Sequence, residues 1–376
     1  MRHGTMRACG WLLGAALACA GCGAPGDTQA RFGGGGGGAP TVAPTSVPLR
    51  AGSVVVEGCA LDQWQTDALS SASMHGLVQT VILLCPTARS DGTVAPVDQP
   101  ARDALAAQVA SIRSQGYRVT LALTMADELD HPYPPDVMAT SLASATWRSS
   151  VATTAAVFAS TADGLDLQLP PPPDTSTDDV SALVSALSSA VGRGSLSVFV
   201  PPGGASNDVA GAPAYDLVTI GTLVARIHVS TLDFSCCSGS PGPTIDPGWA
   251  VDAQRSAASQ TALPMDVAVP LYGWDFGPQG QRAVTFDEAV GVASDAGATI
   301  RRGPTGAELY DWQDTTGGAH ETWFDDAVST SWTLAAWDTQ TLPADVGVVY
   351  WGLGSEDPSL WDTLAQESGV AQGAGR

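Results

Sequence analysis

Lysine is absent from this sequence, and all 16 basic residues are arginine. Set against 38 acidic residues, they leave a net charge of -22. A phosphate polyanion needs basic partners, so the balance excludes nucleic acid as a partner. It also excludes charge-driven docking on an anionic membrane. No apolar run approaches the roughly 20 residues that a membrane-spanning helix requires. The four cysteines beyond residue 50 form no CxxC, no HExxH occurs, and His3, His75, His131, His228 and His320 are scattered, so no metal site is expected. No GxGxxG turn follows a strand, which argues against a doubly wound dinucleotide fold. No repeat of solenoid period is present, and nothing asks for a cofactor.

What is there begins with a targeting pattern. Arg2 and Arg7 precede a short apolar run over residues 11–18, then Leu17-Ala18-Cys19-Ala20-Gly21-Cys22. This reads as a signal peptide over residues 1–22 of the lipoprotein type, with Cys22 as the lipidation site and the new N-terminus. An ordinary cleaved signal is the alternative. The expected location is therefore outside the cytoplasm: held to a membrane by a lipid anchor only, facing the periplasm or the cell surface, or else secreted. Residues 23–50 contain six consecutive glycines (33–38) and a proline-rich stretch, which suits a flexible linker.

A single globular domain is expected over residues 51–368, with a tail at 369–376. Short β-branched runs alternate with helical patterns, the signature of parallel βα units. Strands are expected at 54–56, 78–84, 117–125, 165–169, 195–200, 225–234, 265–272 and 346–351. Helices are expected at 101–115, 141–161, 178–191, 250–262 and 285–296, the last opened by a Thr285/Glu288 capping box. Eight strands with helices between them make a (β/α)8 TIM barrel, an α/β fold. Residues 298–324 carry strand-like pieces and a Thr-Gly-Gly turn, read as a small β-rich insertion between strands 7 and 8. Cys59 and Cys85 end neighbouring strands and are the candidate disulfide; Cys236 and Cys237 have no assignment.

Function in such a barrel sits at the C-terminal strand ends. The sequence offers Asp163, Asp166 and Gln168 from strand 4, Asp233 from strand 6, Tyr272, Trp274 and Asp275 from strand 7, and Trp351 from strand 8. Aromatic faces with carboxylates and amides suit a sugar, whose ring stacks while its hydroxyls are hydrogen-bonded. The segment Asp163-Gly-Leu-Asp-Leu-Gln-Leu-Pro170 resembles the D-G-x-D-x-D-x-E motif of family 18 glycoside hydrolases. Val269-Pro-Leu-Tyr-Gly-Trp-Asp275 is similar to their seventh strand. Ala298-Thr-Ile-Arg, His320-Glu-Thr-Trp-Phe-Asp-Asp-Ala327 and Trp351-Gly-Leu-Gly-Ser-Glu-Asp-Pro-Ser-Leu-Trp361 resemble the spore-type peptidoglycan glucosaminidase branch of that family.

The resemblance implies a site for polysaccharide containing N-acetylglucosamine, such as peptidoglycan or chitin, with Gln168, Asp233, Tyr272, Trp274 and Trp351 as ligand-binding residues. It also implies substrate-assisted hydrolysis, in which a glutamic acid protonates the leaving oxygen and an aspartate orients the acetamide. This chain has Pro170 where that acid would stand and Gln168 in place of the aspartate. On strand 6, Leu232 replaces a tyrosine. Three functions follow from the sequence: a sugar-binding protein without hydrolysis; an active glycosidase with a relocated acid, drawn from Glu57, Asp127 or Glu128; or a structural envelope lipoprotein keeping only the fold. Whether the chain is an enzyme is left open at this point. Asp325, Asp326 and Glu356 are expected to cap helices and brace loops.

Overall fold

A computed structural model describes residues 46–47, 49–96, 102–128, 131–203, 212–236, 240–340 and 342–370. Cys22, the glycine run, Cys237 and the side chains of Asp127 and Glu128 lie outside the described residues.

Eight parallel strands close into a barrel. They are β1 (Gly52–Glu57), β2 (Val78–Ala88), β3 (Arg118–Glu128), β4 (Gly164–Leu167), β5 (Leu196–Val200), β6 (Arg226–Val229) and β7 (Met265–Pro270), completed after an insertion by the last strand, Gly347–Trp351. Each strand pairs with its sequence neighbour, and the last returns to β1 with Val55 opposite Trp351. The strands are rich in valine, leucine and isoleucine because both faces are buried. Alternation along β1 is visible in the packing: Val54 and Val56 join the layer beneath the helices, whereas Val55 joins the barrel interior.

The interior has two unlike halves. Val55, Ile82, Leu84, Ala122 and Val349 fill one with hydrocarbon. On the other, β4 to β7 project Asp166, Ser197, His228 and Asp266 inward, and Asp166, His228 and Asp266 are buried. Placing charges there is costly unless they are mutually satisfied.

The insertion begins earlier than the sequence suggests. A five-stranded antiparallel sheet contains β8 (Gly273–Gly277), β9 (Gly280–Val284), β10 (Arg301–Arg302), β11 (Glu308–Gln313) and β12 (Ala319–Phe324). It therefore starts at Gly273, directly after β7, and not at residue 298. The sequence reading ran β7 on to Tyr272 and took Trp274 and Asp275 with the same strand, whereas both lie in the antiparallel sheet. The hairpin is closed by Gly280 at φ 107, a conformation only glycine adopts freely. Gly273 is equally constrained, because a Cβ there would meet the Trp323 carbonyl at 2.3 Å. Helix Phe286–Ala296 packs on the sheet and has the expected Thr285/Glu288 capping box.

Other boundaries moved for local reasons. The helix expected at 141–161 is two helices, Pro135–Ala143 and Ala145–Ala159, because the Ser144 side chain caps the second by accepting from the Trp147 N–H. Strand β6 ends at Val229, five residues short of its expected end, and Asp233 in the loop beyond takes a left-handed φ of 63. Helices Ala327–Thr339 and Leu360–Glu367 escaped the sequence reading; the first is capped by Asp326, as that residue's expected role requires. The Cys59–Cys85 disulfide is present and joins β2 to the residues just beyond β1. Closing a loop of 26 residues stabilises the fold by about 3.5 kcal/mol on the chain-entropy account.

Candidate functional site

The C-terminal ends of the strands gather most of the expected residues at one mouth. Trp351 ends the last strand and retains 8% exposure. Its ring meets the edge of Phe199, near the end of β5, with centroids 5.0 Å apart. Tyr272, Trp274, Cys236 and the partly buried Leu232 belong to the same cluster. Leu232 thus adds hydrocarbon where a tyrosine would have offered a hydroxyl.

Asp233 is the polar centre of this mouth. Tyr272 donates its hydroxyl to Asp233 Oδ1 at 2.6 Å, and Trp274 Nε1 donates to the same oxygen at 2.9 Å. Asp233 is also the sole non-glycine residue with positive φ among the described residues. Such a conformation is strained, and strain of this kind persists where the surroundings over-determine it. Burial lifts the Asp233 carboxyl to about 6 against the lowering effect of its two donors, and the negative charge of Glu57 at the end of β1 adds to the rise. Tyr272 is likewise pushed up, by burial first and then by Asp233. Trp274 is only 1% exposed. With its N–H committed to Asp233, it acts as a support for that carboxylate, not as an open stacking face.

Gln168 lies just past β4 and is 4% exposed. Its Nε2 donates to Asp166 Oδ2 at 2.7 Å. That bond fixes which way the amide points, and it leaves Oε1 buried with no hydrogen-bond partner. An unpaired buried acceptor costs about 1–3 kcal/mol, so its retention needs a reason. Pro170 is buried two residues further on. Asp163 is placed differently from the sequence expectation. It precedes β4, at the opposite end of the barrel, where it pairs with Arg113 at 2.8 Å and accepts the Val119 N–H. The motif spans the whole strand, so its first and last residues cannot share a site.

Beneath Gln168 runs a polar chain that sequence reasoning missed. Asp166 Oδ1 accepts the Ser197 hydroxyl at 2.6 Å and lies 3.6 Å from His228 Nε2. The other ring nitrogen of His228 is 2.9 Å from Asp266 Oδ2, a contact that is an ion pair when the ring is protonated. Arg226 in turn donates to Asp266 Oδ1 at 2.5 Å. Burial disfavours a charged His228, yet Asp166 and Asp266 outweigh it and hold its pKa above the ordinary value. Burial likewise raises Asp166, against the lowering effects of His228, Ser197 and Gln168. The available signal was a histidine and an aspartate at inward positions of otherwise apolar strands, Arg226-Ile-His228-Val and Met265-Asp266-Val.

The insertion supplies a wall beside the mouth. An open groove of about 460 Å³ is lined by Pro241, Phe276, Trp312, Gln313, His320 and Glu321, among others. His320 is locked in place there: it stacks on Trp312 at 4.2 Å, and its Nδ1 lies 2.9 Å from Asp275 Oδ2. Asp275 therefore braces the sheet. Glu356 braces a loop, accepting from the Gly354 N–H and from Trp361 Nε1. Arg302 holds Asp326 and Glu308.

No protein-family model matches the chain, and no curated protein matches it significantly. Solved structures do. The Bacillus cereus spore cortex-lytic enzyme SleL superposes with a TM-score of 0.69 at 19% identity, covering 86% of this chain and 75% of its own. A chitinase-like agglutinin from Robinia pseudoacacia gives 0.61 at 16%, covering 84% and 99%. A class V chitinase (E115Q mutant) from Nicotiana tobaccum, in complex with NAG4, gives 0.63 at 12%, covering 86% and 99%. The fold is that of the family 18 glycoside hydrolases. In this barrel the fourth strand carries Asp166 and is followed by Gln168 and Pro170, so the residue two places beyond Gln168 has no ionisable side chain.

Several carboxyls in the molecule are displaced upward, and this has a consequence for stability. Burial raises Asp233 to about 6, and Asp325 and Glu308 to about 7. A carboxyl with a raised folded-state pKa binds protons more tightly in the folded chain. Its stability contribution is complete below the unfolded value and is lost as pH rises through the folded one. His228, also raised, acts with the same sign at higher pH. The melting temperature is therefore expected to be several degrees higher at pH 5 than at pH 8. Calorimetry at the two pH values checks this, and a lower value at pH 5 contradicts it.

Proposed function

We propose that the chain is an exported polysaccharide-binding protein that holds N-acetylglucosamine units at the barrel mouth and does not hydrolyse them. The observation that carries this reading is Gln168: its amide is fixed by Asp166, and its Oε1 is buried and unpartnered. Such an acceptor suits the N–H of an acetamide group. Trp351 supplies the floor on which the sugar ring stacks, and Asp233 an acceptor on the far side of the mouth. Pro170 has no proton to give to a leaving oxygen. Gln168 is neutral and cannot stabilise developing positive charge as an aspartate would.

Export rests on the pattern at residues 1–22, with Cys22 acylated and the glycine run as a tether. The Cys59–Cys85 disulfide supports it, since such bonds persist in oxidising compartments. The ligand in that setting is peptidoglycan or a chitin-like polymer. Calorimetric titration with an N-acetylglucosamine tetramer tests the reading. Saturable binding is expected, and no heat at millimolar ligand rejects it.

One observation favours a second reading. Glu57 and Asp233 are close enough for the charge of Glu57 to raise the Asp233 pKa. A buried carboxyl with a raised pKa beside a second carboxyl is the kind of pair a glycosidase uses as acid and partner. In this reading Asp233, raised to about 6, donates its proton at mildly acidic pH, and the chain retains slow hydrolysis.

A further inference from the structure

The polar half of the barrel interior leads from the mouth down to Arg226. Its members lie on four adjacent strands: Asp166 on β4, Ser197 on β5, Arg226 and His228 on β6, and Asp266 on β7. Pairing registers put Asp166 opposite Ser197 and His228 opposite Asp266. Among the described residues, His228 faces Asp166 at 3.6 Å, Asp266 at 2.9 Å and the Phe199 ring at 5.6 Å, with Arg226 two residues away on the same strand. Two carboxylates and two cations balance one another when His228 is protonated.

The orientation of Gln168 depends on this balance. An ionised Asp166 only accepts, so it demands the NH2 side of the Gln168 amide and leaves the buried Oε1 on the side away from it. A protonated Asp166 can donate, and then Oε1 turns to accept from it while the NH2 group points away. The two states present opposite hydrogen-bonding groups to a ligand.

We propose that His228 is a positioning residue for ligand recognition: lying between Asp166 and Asp266, it keeps Asp166 ionised, and Asp166 thereby holds Gln168 with its oxygen toward the acetamide of the bound sugar. This rests on the sugar-binding reading and names the group that enforces selection of N-acetylated sugars. It acts through Asp166 and does not touch the ligand. Asp266 and Arg226 complete the device: Asp266 favours the charged ring, and Arg226 neutralises the surplus carboxylate.

The test is the pH dependence of affinity for the N-acetylglucosamine tetramer in wild type, His228→Gln, Asp266→Asn and Asp166→Asn, with a glucose tetramer as the ligand lacking acetamides. Wild-type affinity for the acetylated ligand is expected to fall on the acid side, as Asp166 takes up its proton. Removing the imidazolium raises the Asp166 pKa, so in His228→Gln this fall moves to higher pH. Affinity at mildly acidic pH drops about tenfold there, the size expected when a buried acceptor is exchanged for a donor. Asp266→Asn removes a negative charge that raises Asp166, so with His228 still charged its acid limb moves to lower pH, opposite to His228→Gln, and this opposed shift reads out the same balance if His228→Gln fails to fold. Asp166→Asn, which cannot ionise, loses the acid limb. Affinity for the glucose tetramer, whatever its size, does not change with these substitutions. Binding by wild type with identical pH profiles in the variants overturns the role of His228 alone. Equal loss for both ligands reduces His228 to a general structural part and overturns it too. Absence of binding by wild type at every pH removes the sugar-binding reading itself.

Discussion

Wild-type protein incubated with an N-acetylglucosamine tetramer or with muropeptides is expected to release no reducing ends, and Gln168→Asp/Pro170→Glu is expected to gain cleavage. A positioned general acid contributes about 10²- to 10⁴-fold, so the double variant should exceed the wild type by on the order of 10² or more. Position 170 is favourable for the exchange because Pro171 biases the residue before it toward extended geometry. Two substitutions are needed together: the glutamate supplies the proton, and the aspartate supplies the charge that Gln168 lacks. Reducing-end assays on both proteins decide the matter. Cleavage by the wild type that disappears in Glu57→Gln and Asp233→Asn would instead establish the second reading, in which the acid has moved to the opposite side of the mouth. The Glu57 variant is the more telling of the two, since Asp233 also holds Tyr272 and Trp274.

The second large effect is expected at Trp351. Its indole is both part of the interior cluster and the proposed stacking floor. Trp351→Ala removes a nearly buried ring packed against Phe199, and the cavity should lower unfolding free energy by about 3–5 kcal/mol in urea denaturation. Loss of binding in that variant would be ambiguous by itself. Trp351→Leu keeps much of the hydrocarbon and removes the flat face, so its stability should fall by less while affinity for the tetramer falls tenfold or more. If Trp351→Leu binds as tightly as the wild type, Trp351 is a core residue and the ligand rests elsewhere.

How much of this could be read in advance differs between the barrel and its contents. The alternation of β-branched runs with helical stretches reports directly on local geometry, and β1, β2, β5 and β7 fall close to where it places them. The capping box at Thr285 and Glu288 is a contact within one helical turn, and it is present as read. Gly273–Gly277 and Gly280–Val284 were not seen as strands of a second sheet, because their pairing partners are each other and β12, some 45 residues away. A short edge hairpin has little intrinsic pattern of its own. Asp163 and Pro170 sit in one motif, yet a strand of this length carries its two ends to opposite faces of the barrel.

The candidate site shows the same division. Asp233, Tyr272 and Trp274 were each nominated from their strand ends, but that both donors converge on one oxygen of Asp233 depends on loops folding back after β6 and β7. His228 stood in the sequence as one of five scattered histidines. Only barrel closure, which sets β4 to β7 side by side, places it between Asp166 and Asp266.

The sequence by itself determined the succession of strands and helices, the residues offered at each strand end, and the absence of a carboxyl at position 170, because these are properties of the chain taken a few residues at a time. The tertiary structure decided which offered groups meet, which of them are buried, and hence which are charged. Ionisation inside a barrel is fixed by neighbours on other strands, and no local window of sequence contains them.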